Sequence, residues 1–455
     1  MAPNQRSFAL PFFDPLTVHR QLSDGGPGFL ESGGGNTRIG RYSVVALRSA
    51  ESYRLDENGL VRIENGLRRA MPGDPFAVLG AILQARRIEK PPAPTPFPGG
   101  FFGFFAYDLA GRIESLPRRA RRDLPLPALW LDWVDLTAAY DHHEGTLTLS
   151  SLDGRDDLEA LEEAIREAHA DPPPTPAWEP PPPPRPVLSP EDFAGMVRAA
   201  KEYIAAGDIY QANLSCRFDT RWSGPAEDLY ARLRRINPSP FACLLRSPEV
   251  EIISSSPERL VSLRDGVAET RPIAGTRPRG FTPPEDVRLG RELLGHPKER
   301  AEHVMLLDLE RNDLGKVCRA GSVEVDELMV LERYSHVTHI VSNVRGLLNE
   351  GCGPFDLIRA AFPGGTITGV PKKRCMEIID ELEPVGRGTY TGSAGYIGVG
   401  GEMDLNILIR SFQRCGNHLS YQTGAGIVAD SDPRKEWDEC LAKGMAMRQA
   451  LGGKK

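Results

Sequence analysis

The chain has seven cysteines in 455 residues (Cys216, Cys243, Cys318, Cys352, Cys375, Cys415 and Cys440), an odd number at wide spacing with no Cys-x-x-Cys pair. That argues against a zinc or dithiol redox motif and against a disulfide framework, and reads as free thiols in a reducing compartment. Long apolar runs are missing as well: nothing approaches the roughly 18 residues of a membrane span. The first residues, MAPNQRSFALPFFDP, lack a basic stretch followed by an apolar one. Positive charge is in deficit, with 55 Lys and Arg against 62 Asp and Glu and a net charge of -7. A basic field for nucleic acid or an acidic membrane surface is therefore absent. The expectation is a cytoplasmic protein with no nucleic-acid or membrane partner.

What the chain has is length, 40% hydrophobic residues and 40 prolines, many of them gathered in one place. Residues 171–187 (DPPPTPAWEPPPPPRPV) are too proline-dense for helix or sheet and read as a stiff linker. It separates an N-terminal domain, 1–170, from a C-terminal domain, 188–455. Short strand-like runs (Tyr42 to Leu47, Gly99 to Tyr107, Thr146 to Leu152, Glu251 to Ser255, Ser393 to Val399, His418 to Thr423) alternate with helical patterns. The main helical patterns are Ser189 to Ala206, Lys298 to Leu309, Lys372 to Leu382 and Asp432 to Leu451. Regular βαβ spacing is absent, so the expected class is α+β, with large antiparallel sheets in a sandwich flanked by helices.

Chemistry concentrates in the C-terminal portion. Glu299 with Glu302 (KERAEH) and Glu436 with Glu439 (KEWDEC) are two Glu-x-x-Glu pairs. Residues three apart share a helix face, so each pair can present its carboxylates together. Either pair alone also suits a solvated surface; two such helices meeting would offer the hard oxygen ligands that Mg²⁺ takes. Gly364 to Pro371 (GGTITGVP) is a glycine-threonine turn ahead of a helix, able to bring N–H groups and hydroxyls to an anion or simply to reverse the chain. Gly424, Ala425 and Gly426 let backbone amides approach a carboxylate. Arg410 closes an apolar run and suits bidentate carboxylate binding. Glu258 follows the strand EIISS, where burial beside a pocket would raise its pKa and fit it to act as an acid. His339 lies within VTHIVSNV, an ordinary place for a core histidine.

These segments (SSPERL, TRPIAGTRPRG, KERAEHVMLLDLERNDLGKV, HVTHIVSNVRG, FPGGTITGVPKKRCMEIIDELEP, YTGSAGYIG, QTGAGIVADSDPRKEWDE) resemble, in order and spacing, those of the chorismate-utilising enzymes. That family includes anthranilate synthase component I, aminodeoxychorismate synthase component I and the isochorismate and salicylate synthases. FLES at Phe29 to Ser32 and RYSVV from Arg41 resemble its first domain.

The resemblance implies Mg²⁺ as cofactor, held by Glu302 and Glu439 with Glu299 and Glu436 acting directly or through water. It implies that Arg410, Tyr390, Gly424, Ala425, Gly426 and Lys443 hold the side-chain carboxylate of chorismate. Glu258 becomes the general acid for the departing 4-hydroxyl, and His339 and Thr366 line the ring. Gln211 stands where water-adding members carry a lysine base, which favours ammonia as nucleophile. No glutaminase motif is present, so ammonia is expected from a separate component II subunit. The segments YQANLS, GGTITG and PFACLLR resemble aminodeoxychorismate synthase. Ala274 in PIAGT is instead as in anthranilate synthases, whereas many aminodeoxychorismate synthases place a nucleophilic lysine there. The expected product is 4-amino-4-deoxychorismate, for folate synthesis; the alternative is anthranilate with pyruvate, for tryptophan synthesis. Glu31, Ser32, Asn237 and Pro240 correspond to segments that form a tryptophan pocket in the family.

Overall fold

The structure, a computed structural model, describes residues 3–23, 25–33, 40–88, 95–170, 179–333 and 337–453. The first part of the proline-rich linker, 171–178, lies outside the described residues; its end forms a two-residue strand, Arg185–Pro186, beside Asp219 and Phe218. Among the described residues every strand ladder is antiparallel. The class is α+β, as expected: one hydrogen-bonded network of strands with helices packed on it. Among the described residues no helix is long and apolar enough to cross a membrane.

The portions on either side of the linker are joined by sheet. Gly28–Glu31 pairs with Phe241–Arg246, and the glycine-aromatic strand Gly100–Phe105 lies between Ser393–Gly398 and Leu129–Asp141. Two glycines explain the closeness of that contact: a Cβ on Gly100 or Gly103 would come within 2.5 Å of the Ile397 carbonyl and 2.1 Å of the Trp130 carbonyl. The apolar core is shared as well. One cluster joins Phe29, Val45 and Leu149 to Phe193, Leu214 and Phe412; another joins Phe101, Leu131 and Trp133 to Leu263, Ile397 and Leu405.

Two helices carry the acidic pairs, and their ends are written in the sequence. Pro297–Gly315 starts with proline at its first turn and has Glu299 N–H donating to the His296 ring. Pro433–Lys443 is capped by Asp432, which accepts from the N–H groups of Arg434 at 3.1 Å and Lys435 at 3.0 Å. It stops at Gly444, and a second short helix, Met445–Ala450, follows. The single helix expected over Asp432 to Leu451 is thus two, meeting at Gly444, where a Cβ would stand 3.2 Å from the Tyr421 ring. The strand expected to end at Thr423 continues to Ile427, so Gly424 to Gly426 lie inside the sheet. Their ladder partners are Ser215, Leu214 and Asn213 on the strand Gln211–Arg221.

Candidate active site

Glu258 occupies the two-residue joint between the strands Glu251–Ser256 and Arg259–Arg264. Its carbonyl accepts from Ile407 N–H at 3.0 Å, and the hydroxyl of Ser256 donates to Ile407 O at 2.5 Å. These bonds tie the joint to the segment that ends in Arg410. The Glu258 side chain is 6% exposed, and its Oε1 has no hydrogen-bond partner. Burial pushes its pKa up to about 7, and the Glu310 carboxylate adds to the rise; Thr366, the backbone at Ile273 and Arg410 oppose it. The Thr366 hydroxyl lies near the same carboxyl without completing a hydrogen bond, because its Oγ1 is also buried and unpartnered.

Arg410 is at φ +54°, immediately before the strand Ser411–Cys415. Its backbone carbonyl accepts from Ser255 N–H at 3.1 Å, which holds the arginine beside Glu258. Burial lowers its pKa, while Tyr390, Glu258 and Glu439 pull it back up. Those three groups come from separate segments of the chain, and among the described residues the guanidinium forms no ion pair within 4.0 Å. Tyr390 is 7% exposed, and burial raises its pKa. His339, on the strand Val337–Leu347, is held neutral: burial lowers its pKa to about 4, the Gly275 carbonyl opposes, and Arg410 lowers it further. Its Nδ1 lies 2.9 Å from Thr276 Oγ1 and 3.4 Å from Gly275 O.

Gly424 and Gly426 leave space beside this group. A Cβ on Gly424 would stand 3.0 Å from the Tyr390 hydroxyl and 2.5 Å from Asn213 Oδ1; on Gly426 it would stand 2.5 Å from Gln211 Nε2. Ala425 faces the other way, into the core. Lys443 donates to Gly424 O at 2.9 Å and pairs with Glu439 at 2.7 Å. Ala274 is buried in the strand Ile273–Pro278 opposite Ile340, and belongs to none of the apolar clusters. Lys372 and Lys373, which follow the glycine-threonine turn, point elsewhere: Lys372 is bound to Asp313 and to the Ala361 carbonyl, and Lys373 lies 3.7 Å from Glu114.

The acidic helices approach one another around these residues. Glu302 feels Lys443 of the other helix, and Glu436 feels Lys298 of the first. Burial raises the pKa of Glu302, as does the neighbouring charge of Glu299; Gln211 Nε2 donates to Glu302 Oε1 at 3.3 Å. Burial and Glu439 likewise raise Glu436. Glu299 pairs with Arg277 at 3.1 Å. Among the described residues no three His, Cys, Asp or Glu side chains stand close enough to share a cation. All four groups are hard oxygen donors of the kind Mg²⁺ takes, and within each pair the carboxylates repel.

Glu31, Ser32 and Pro240 line a separate cavity of about 310 Å³ with Arg259, Tyr396 and Met403. Ser32 Oγ donates to Tyr42 O at 2.6 Å, and Glu31 accepts from Tyr230 and Arg234. Asn237 does not line this cavity; its Nδ2 donates to Ser255 O at 3.2 Å.

Two further residues of the site lie within KERAEHVMLLDLERNDLGKV and YQANLS without a role assigned to them above. Glu310 is 4% exposed, stands 3.0 Å from the Thr270 hydroxyl and lies 3.1 Å from where a Cβ of Gly365 would be, next to Thr366. Burial raises its pKa, followed by the charge of Asp313. It lies eleven residues after Glu299, three helical turns on the same face, and that spacing was the available clue. Asn213, 9% exposed, is the other.

A sequence model of the chorismate binding enzymes matches residues 45–449. The chain belongs to that family. It is 42% identical over 431 residues to aminodeoxychorismate synthase component 1 of Bacillus subtilis, covering 91% of this chain and 90% of that one. It is 48% identical over 365 residues to an anthranilate synthase component I-like protein of Synechocystis, covering 80% and 74%. Among solved structures, anthranilate synthase component I from Streptococcus pneumoniae matches with TM-score 0.80 and 31% identity over 96% of this chain and 97% of that one. The protein is thus a chorismate-utilising enzyme by family, and its relatives include both aminating types.

Proposed function

We propose that the protein aminates chorismate with ammonia, in a Mg²⁺-dependent reaction giving 4-amino-4-deoxychorismate. The observation that carries this reading is Glu258: a buried carboxyl with a pKa near 7, one unpartnered oxygen, and an arginine without an ion-pair partner beside it. Arg410 and the Tyr390 hydroxyl bind the side-chain carboxylate of chorismate, helped by the open backbone at Gly424 to Gly426 and by Lys443. His339 and Thr366 border the ring. Glu258 gives its proton to the 4-hydroxyl, which leaves as water. The lone pair of ammonia forms the new C–N bond as the C–O bond breaks, and the proton shed by the resulting ammonium returns Glu258 to its acid form. Glu302 and Glu439 would hold Mg²⁺, with Glu299 and Glu436 acting directly or through water. The bound ion supplies positive charge that neutralises and orients the ring carboxylate.

Formation of anthranilate would need a further step, removal of a ring proton with loss of pyruvate. His339 is the candidate base for that step. The second reading, anthranilate synthase, is favoured by Ala274, which gives no nucleophile and leaves room for ammonia at the 2-position. In either case the ammonia comes from a glutaminase subunit, consistent with the "component 1" names of relatives. The test is product identity with chorismate, Mg²⁺ and ammonium. A product that becomes para-aminobenzoate only when aminodeoxychorismate lyase is added supports the first reading; anthranilate fluorescence without a lyase overturns it.

A further inference from the structure

Glu310 is a buried carboxyl that the reaction above leaves unused. It lies on the helix Pro297–Gly315, and its Oε2 is 3.0 Å from the Thr270 hydroxyl. That hydroxyl is also 3.0 Å from the carbonyl of Leu260, a residue passed over where its ladder shifts register between Arg259 and Val261. A carbonyl only accepts and a hydroxyl has one proton to give, so with Thr270 serving Leu260, its contact with Glu310 is a hydrogen bond only when Glu310 donates. Both contacts are satisfied together by a protonated Glu310. Its surroundings agree. One helical turn on, Asp313 is 1% exposed, and its oxygens accept from Lys316 at 2.8 Å and from Lys372, so this neighbour is the ionised carboxylate. Burial and the Asp313 charge raise the pKa of Glu310, and Lys372 opposes them.

On its other side Glu310 meets the glycine-threonine turn. Its Oε1 lies 3.1 Å from where a Cβ of Gly365 would stand, and the hydroxyl of the next residue, Thr366, faces the Glu258 carboxyl. Leu260, which Thr270 holds, comes two residues after Glu258. The two carboxyls are thus neighbours across one turn and one strand joint; the charged groups acting on them are Arg410 beside Glu258, and Asp313 and Lys372 beside Glu310. Two carboxyls that share a buried site do not ionise independently, because loss of one proton raises the cost of losing the other. We propose that Glu310 is a positioning residue for the general acid, a second carboxyl whose ionisation in place of Glu258 keeps the proton of Glu258 available as pH rises. The inference rests on Glu258 acting as the acid.

The test follows chorismate consumption by the full chain with Mg²⁺ and ammonium over a pH series at constant free ammonia, and reads the midpoint of the alkaline fall in kcat/KM. The wild type is read first: a value that does not fall as pH rises through about 7 overturns Glu258 as the acid, and this inference with it. Given that fall, Glu310→Gln, which has the shape of the neutral acid and cannot ionise, moves the midpoint down by about one pH unit, a further loss of about tenfold above it that is absent below it. Glu310→Asp keeps a carboxyl and returns the midpoint toward the wild-type value. If the glutamine variant misfolds, Glu310→Ala and Glu310→Asp make the same comparison, a shortened side chain without and with the carboxyl, and the midpoint is lower in the alanine variant. A midpoint that stays or rises in Glu310→Gln, equal midpoints in the alanine and aspartate variants, or a loss of rate equal at every pH overturns the proposal and leaves Glu310 a packing residue.

Discussion

Replacing Glu258 with glutamine keeps the shape of the side chain and removes its titration. The folded enzyme holds this proton up to a pH of about 7, whereas an ordinary glutamate releases it near 4.5. Between those values the folded chain binds more protons than the unfolded one, so stability falls as pH rises through the window and the penalty is complete above 7. The shift corresponds to about 3 kcal/mol as an upper bound. Glu258→Gln escapes that penalty. The variant is expected to match the wild type in urea unfolding at pH 4.5–5, to exceed it at pH 8, and to lose about 10²–10⁴-fold in turnover, the usual worth of a positioned acid. In the wild type, kcat/KM should decline as pH rises through 7. A stability difference that does not change with pH, or a variant within tenfold of normal turnover, refutes the reasoning.

Other perturbations separate the remaining roles. Arg410→Gln should raise the KM for chorismate at least about tenfold, from loss of a charge-assisted contact, with no drop in thermal stability, because the arginine has no ion-pair partner to lose; an unchanged KM would remove it from substrate binding. Gly424→Ala puts a Cβ 2.5 Å from Asn213 Oδ1 and 2.7 Å from the Leu214 carbonyl, and should lower both activity and unfolding temperature, at a cost of about 1–3 kcal/mol; a wild-type melting curve would contradict the tight strand contact. Ala274→Lys should increase the share of 4-aminated product if the cavity is built for that outcome, as resolved by chromatography; an inactive enzyme, or one with the same product ratio, would count against the preferred branch.

Much of this was legible from residue types and spacing. The helix Lys372–Leu382 runs as its pattern suggests, and both Glu-x-x-Glu pairs lie on helices. Helix ends are local chemistry, so proline, Asp432 and Gly444 mark them. Three features depend on distant neighbours and escaped. The strand expected to end at Thr423 takes in Gly424 to Gly426, because pairing with Asn213 to Ser215 overrides the weak strand preference of glycine. Asn213 and Glu310 look like ordinary polar residues until packing leaves one oxygen unpartnered and buries the other carboxyl near Glu258. Lys372, near the glycine turn in sequence, is removed from the chemistry by Asp313, a partner 59 residues away.

The most direct measurement is turnover of chorismate with ¹⁵N-ammonium, with and without Mg²⁺, read by mass spectrometry. The account predicts one ¹⁵N in the product for each chorismate consumed, abolished by a chelator and restored by Mg²⁺. Chorismate left intact, or converted to an unlabelled isomer at the same rate whether or not ammonium is present, would contradict it.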